Sequence, residues 1–198
     1  MKKHETLPDT HQDIYSKTVF GFWLYLLTDL MLFATIFAAF AVLKGNHFEG
    51  PSAKELFNLE FATLQTLLFL VSTLAISIGG VFAHRKNRKG VITFYLISFV
   101  LGLLFLILEL QELSHFCAVG SGWKENAFAS VFFSLIGMFL LHLIFALIWT
   151  ATLLIDPIRE GIQGSSLRRL TCLKMFWQFL NLIWIFVYTM VYLLGVVS

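Results

Sequence analysis

The chain has 198 residues, 58% of them apolar and 13% charged, where an ordinary soluble domain carries about 45–50% and about 25%. With a mean hydropathy of +0.81, too little polar surface is left to clothe a water-soluble fold, so the solvent must be lipid. A formal net charge of +2 lacks the basic excess that nucleic acid as a partner demands, and no nucleic-acid role is expected.

A bilayer core about 30 Å thick takes roughly 20 residues of helix. Residues 1–18 read as a polar cytoplasmic tail, and residues 19–198 as a single membrane domain with spans at about 19–43, 61–83, 91–113, 127–155 and 175–197. Alternation of the strand kind is absent, which argues against a β-barrel. Ala39-Phe40-Ala41 matches a signal-peptide cleavage pattern, but the apolar run is far longer than the roughly 7–15 residues of such a peptide, so the first span is retained.

Taken in chain order, the first span carries Asp29, ten residues beyond Val19 and therefore about 15 Å into the bilayer. Ala34 and Ala38 offer a small-residue contact on the same helix. The third span holds Glu109 and Glu112, spaced i, i+3 near its outer end, and the fourth holds His142, the one histidine inside a span, with Ser130 and Ser134 one turn apart. On the fifth, Gln178 and Asn181 lie i, i+3, and Trp177, Asn181, Trp184 and Tyr188 share a face. The serines and amides read as ties between helices. The 22 Phe read as packing or lipid-facing surface.

Basic residues stay on the cytoplasmic side of a membrane. Eleven of the fourteen lie in the N-terminal tail and in the second-to-third and fourth-to-fifth connections, and only Lys44, Lys54 and Lys124 lie on the other side. The N-terminus is thus expected inside and the C-terminus outside. Cys117 and Cys172 then fall on opposite sides, out of reach of a disulfide.

An ionisable group inside a span costs about 2.5–3.5 kcal/mol and is a functional candidate by default. Asp29, Glu109, Glu112 and His142 meet that test. The preferred reading of each is a hydrogen-bonded group that locks helices together, against proton carriage or ligand binding. One imidazole cannot supply the ligands of a haem or a copper site, and His84 and His115 sit at helix ends on opposite faces. No metal site, haem site, phosphate loop or catalytic triad is expected in this chain.

The runs GFWLYLLTDLMLFATIFAAFAVL (Gly21 to Leu43), LELQEL (Leu108 to Leu113), FFSLIGMFLLHLIFALIW (Phe132 to Trp149) and FWQFLNLIWIFVYTMVYLLG (Phe176 to Gly195) resemble subunit III of haem-copper oxidases, in the five-helix form found in bacterial cytochrome o ubiquinol oxidase. The resemblance implies an all-α integral membrane protein, its five helices in a V, the first two splayed from the last three with phospholipid in the cleft. It also implies a non-catalytic accessory subunit of a proton-pumping ubiquinol oxidase complex of aerobic respiration, in the bacterial cytoplasmic (inner) membrane. Haem and copper would lie in subunit I, with subunits I, II and IV and membrane phospholipids as partners. Asp29 matches the family's buried carboxylate and Glu109 and Glu112 its paired glutamates. The chain departs from the pattern at Phe139, where many members have a histidine, and at Gln178 and Asn181, where they have WHF-x-D. Amides hydrogen-bond but do not titrate, which weakens any proton-relay role. A small proton channel or transporter, and a subunit III-like partner of another haem-copper enzyme such as nitric oxide reductase, are the alternatives.

Overall fold

The computed structural model describes residues 10–43, 59–118, 127–159 and 164–193. They form α1 (Thr10–Leu43), α2 (Leu59–His84), α3 (Arg88–Ala118), α4 (Ala127–Arg159) and α5 (Gly164–Val187), which continues as a π-helical turn at Tyr188–Leu193. All five helices are long and apolar enough to cross a membrane, and no strand occurs among the described residues.

α1, α4 and α5 overrun the expected spans at their cytoplasm-assigned ends, and α3 overruns its span mainly at the opposite end, to Ala118. α1 begins at Thr10, so half of the expected tail is helical, and α5 begins at Gly164 rather than 175. Hydropathy marks only where a helix enters lipid, whereas SSLRRLTCLK holds no Pro or Gly to stop a helix before it does. Arg168, Arg169 and Lys174, expected in a loop, therefore project from α5. The π-helical turn lies inside the expected fifth span at 175–197. Residues 194–197 of that span lie outside the described residues.

The α2–α3 connection is a tight turn. Lys86 takes a left-handed backbone (φ 54°); its amide donates to the Ala83 carbonyl and the Asn87 amide to the Phe82 carbonyl, both at 3.0 Å. These two bonds close α2 as a Schellman turn. The Asn87 side-chain oxygen then accepts from the Gly90 amide at 3.3 Å and caps α3.

Packing centres on α5. α2 lies against α3 and α5, α4 against α3 and α5, and α1 against α4 and α5. α2 lies mainly along α3 and α1 mainly along α4, and each also touches α5. α1 is peripheral, with 17% of its most apolar stretch buried against 61% for α5. It docks through Leu26, Phe33 and Phe40, seven residues apart and hence on one stripe. Ala34 and Ala38 are exposed, so the small-residue contact expected of them is not made within the chain. Ser134 donates to the Ser130 carbonyl of its own helix at 2.7 Å, and both serines are exposed. In lipid a hydroxyl satisfied by its own backbone has no need of a neighbouring helix.

The middle of the bundle is aromatic. Phe69 meets Phe105 at a tilt (4.8 Å between centroids), Phe105 meets Trp184 edge-on (4.8 Å) and Phe139 meets Trp184 at a tilt (5.1 Å). The Trp177 ring of α5 reaches α3 at Gly102, where a Cβ would stand 2.4 Å from it. Polar ties hold the same core: Trp177 donates to Thr150 (3.2 Å), Trp184 to Thr66 (3.0 Å), Tyr95 to the Leu170 carbonyl (3.1 Å), and Ser72 meets Ser98 (3.1 Å). Cys117 is exposed, Cys172 is buried and both are free.

Candidate functional site

Two buried polar clusters hold four of the six sequence-derived candidates. In the first, Asp29 on α1 faces His142 on α4, with Oδ2 3.7 Å from Nε2. The Nδ1 atom of His142 lies 2.8 Å from the Met138 carbonyl. A carbonyl oxygen can only accept, so Nδ1 carries a hydrogen and Nε2 is the nitrogen left to face the carboxyl. The ring lies between Phe33 (5.2 Å) and Phe176 (6.3 Å), which fixes its plane. Tyr25, one turn before Asp29, also interacts with the carboxyl. His142 is thus a packed, hydrogen-bonded residue, and it is also the partner that the sequence did not provide for Asp29.

The second cluster joins α2, α3 and the π-helical turn. Glu109 is 1% exposed and accepts a hydrogen bond from the Tyr192 hydroxyl at 3.3 Å. Glu112, one turn on, shares that tyrosine and lies beside Gln65 of α2. Glu109 Oε2, Glu112 Oε2 and both amide atoms of Gln65 have no hydrogen-bonding partner. π-helical turns are rare and concentrate at functional positions; here the turn carries Tyr192 to the glutamates.

The amides stand apart from both clusters. Gln178 is exposed and donates to Ser77 at 3.3 Å, tying α5 to α2. Asn181 is half-buried, with Oδ1 unpartnered. Phe139, at the position of the missing family histidine, is fully buried in the aromatic core. Among the described residues no three His, Cys, Asp or Glu side chains converge on a point.

Gln65 and Tyr192 were not singled out from the sequence, because a search restricted to ionisable groups passes over amides and phenols. An amide in the middle of LEFATLQTLLFL was the available signal, since it too is costly to leave unpaired in lipid.

The sequence profile described as cytochrome c oxidase subunit III matches residues 2–196. The chain belongs to that family. It is 40% identical over 179 residues to the cytochrome bo(3) ubiquinol oxidase subunit 3 of Pseudomonas putida, covering 90% of this chain and 86% of the relative. Against the protein of the same name from Pseudomonas aeruginosa it is 39% identical over 187 residues, covering 94% and 90%. The cytochrome c oxidase subunit 3 of Alkalihalophilus pseudofirmus is 36% identical over 178 residues, covering 89% and 86%. Subunit III of a haem-copper oxidase is part of a multi-subunit oxidoreductase complex, and this one is a multi-pass protein of the bacterial inner membrane.

Proposed function

We propose that this subunit III is non-catalytic and supports the assembly and durability of a proton-pumping ubiquinol oxidase, with subunits I, II and IV and membrane phospholipid as its partners and haem and copper held by subunit I. The observation that carries the reading is how its buried polar groups are used. Asp29 faces His142 across the α1–α4 contact, Glu109 accepts from Tyr192 across the contact of α3 with the end of α5, and the tryptophan nitrogens bond to threonines on neighbouring helices. Groups spent on joining helices make a scaffold. His142, the single imidazole inside a span, has Nδ1 engaged and aromatic rings beside it, which supports a packing role for it rather than that of an axial ligand. Ubiquinol rather than cytochrome c as the electron donor is supported by the bo(3)-type relatives at 39% and 40% identity.

The orientation belongs to the same proposal. With eleven basic residues against three, the tail at 1–18 is cytoplasmic and the C-terminus lies outside. Purification in mild detergent tests the accessory role. The tagged chain should co-elute with a haem-bearing partner and contribute no haem of its own; isolation as a homo-oligomer with full membrane yield would instead support a self-standing channel.

A further inference from the structure

The start of α2, the end of α3 and the end of α5 bring two acids, an amide and a phenol to one level of the bundle. Tyr192 donates its hydroxyl to Glu109 Oε1 at 3.3 Å and also interacts with Glu112, so one phenol holds two carboxyls that stand one turn apart. The α2 side is fixed independently. Trp184 donates to Thr66 at 3.0 Å, and Thr63 and Tyr188 share a hydrogen bond of 2.8 Å. Gln65 therefore rides on a turn of α2 that is fastened to α5 on either side of it. This side chain is 0% exposed and lies beside Glu112, and neither of its amide atoms has a hydrogen-bonding partner.

The cluster holds more acceptors than donors. Glu109 Oε2, Glu112 Oε2 and Gln65 Oε1 are unpartnered oxygens, against a single unpartnered nitrogen, Gln65 Nε2. Buried oxygens left bare in a lipid environment are costly, and an ion is one of the few things that satisfies them. No Lys or Arg among the described residues pairs with either glutamate. A hard divalent cation meets both needs, since it takes carboxylate and amide oxygens as ligands and neutralises two carboxylates at once. The Tyr192 bond occupies Oε1 of Glu109 and leaves Oε2 for the ion. Glu109 is 1% exposed, so the inner side of the cluster is closed to water, while the half-buried Glu112 leaves a way in. Magnesium keeps several of its waters, whereas calcium accepts more protein oxygens in irregular geometry. The closed inner side therefore favours calcium. Two acids and an amide are not the three His, Cys, Asp or Glu whose convergence is absent among the described residues, yet amide oxygens are ordinary calcium ligands.

We propose that Glu109 Oε2, the Glu112 carboxylate and Gln65 Oε1 bind one calcium ion, with Tyr192 positioning Glu109 and water completing the shell past Glu112. The ion ties α2 to α3 beside the π-helical turn. It is additional to the scaffold role, which needs only the hydrogen bonds, and the orientation proposed above decides only that it enters from the exterior.

The test uses the assembled oxidase, stripped with a chelator and titrated with radioactive calcium in equilibrium dialysis. Wild type should bind one more calcium per complex than Glu109→Gln/Glu112→Gln, with a dissociation constant of about 0.1–1 mM. Equal binding by the two would overturn the proposal, and an equal affinity for magnesium would overturn the choice of calcium. Infrared difference spectra of wild type separate an ion from a pair of protons. Adding calcium to the stripped complex should convert protonated carboxyl signal to carboxylate signal; a protonated signal that persists in saturating calcium would mean that the acids hold protons instead, and the site would be rejected. Where the double variant fails to assemble, Gln65→Leu takes its place, keeping both acids and weakening calcium binding about tenfold or more; unchanged affinity overturns the assignment. A chelator confined to the exterior of right-side-out vesicles should remove the ion, and removal only from the interior would overturn the side of entry. Haem content and co-elution of the partner subunits, read on the same wild-type sample, bear on the accessory role alone.

Discussion

Asp29 and His142 face each other across the contact of the peripheral helix with the bundle, and the nitrogen that His142 turns to the carboxyl is the one its Met138 bond leaves available. What the site requires of residue 29 is therefore a group able to donate to, or accept from, that nitrogen. Asp29→Asn keeps the size and offers an amide N–H, so assembly, turnover and proton pumping should stay near wild type. Asp29→Leu leaves a buried imidazole nitrogen against hydrocarbon, at a cost of about 1–3 kcal/mol, and should lower the thermal midpoint and yield of the complex without changing its haem content. If Asp29→Asn abolished pumping in reconstituted vesicles while assembly stayed normal, a proton-relay role for this carboxyl would replace the packing account. Depth and residue type made Asp29 and His142 legible as candidates, but their pairing was not. They are far apart in sequence and belong to helices whose relative rotation is set by the apolar stripe Leu26, Phe33 and Phe40, and that stripe looks like any other apolar residues in a lipid-facing span.

At the scale of the helices, existence and length were readable because in lipid every backbone group must be satisfied within the segment. Which face turns inward was harder to read, since lipid-facing and core-facing side chains are both apolar. α3 shows the signal that remains. Its buried residues Val91, Tyr95, Ser98, Gly102, Phe105 and Glu109 recur every three or four positions and include the small and polar ones, while Leu103, Leu104, Ile107 and Leu110 face out. Small residues let helices approach closely, and Gly102 is where this matters most. Gly102→Ala would drive a methyl to within 2.4 Å of the buried Trp177 ring, which bonds to Thr150. Overpacking of this kind costs about 1–3 kcal/mol, and the thermal midpoint of the complex should fall. Gly137→Ala on α4, with open space around its Cβ, is the control and should be neutral or slightly stabilising. An equal loss at both positions would show that helix flexibility, rather than the α3–α5 contact, is what the glycine provides.

For the molecule as a whole, orientation is the property on which the other placements depend, because it decides toward which side of the membrane each polar cluster lies. It rests on charge alone. Arg85, Lys86, Arg88 and Lys89 crowd the short α2–α3 turn, where the backbone is closed by capping bonds and leaves no slack for those charges to reach the far side. Arg168 and Arg169 project from the first turns of α5 at the same end of the bundle, as the Tyr15 to Thr171 bond between α1 and α5 shows. Moving this end across a membrane would carry three basic clusters with it, against an average surface potential that already favours them inside. Reporter fusions placed after Gly90 and after Gly122 should therefore report cytoplasm and exterior respectively. Replacing the four basic residues of the α2–α3 turn by Gln should weaken that bias and give mixed topology while the helices themselves persist. The reverse pattern in the unmodified chain would move Arg168 and Arg169 to the outer side and put the glutamate cluster on the cytoplasmic side. In that case the positions of Lys44, Lys54 and Lys124 rather than of the eleven would mark the cytoplasm.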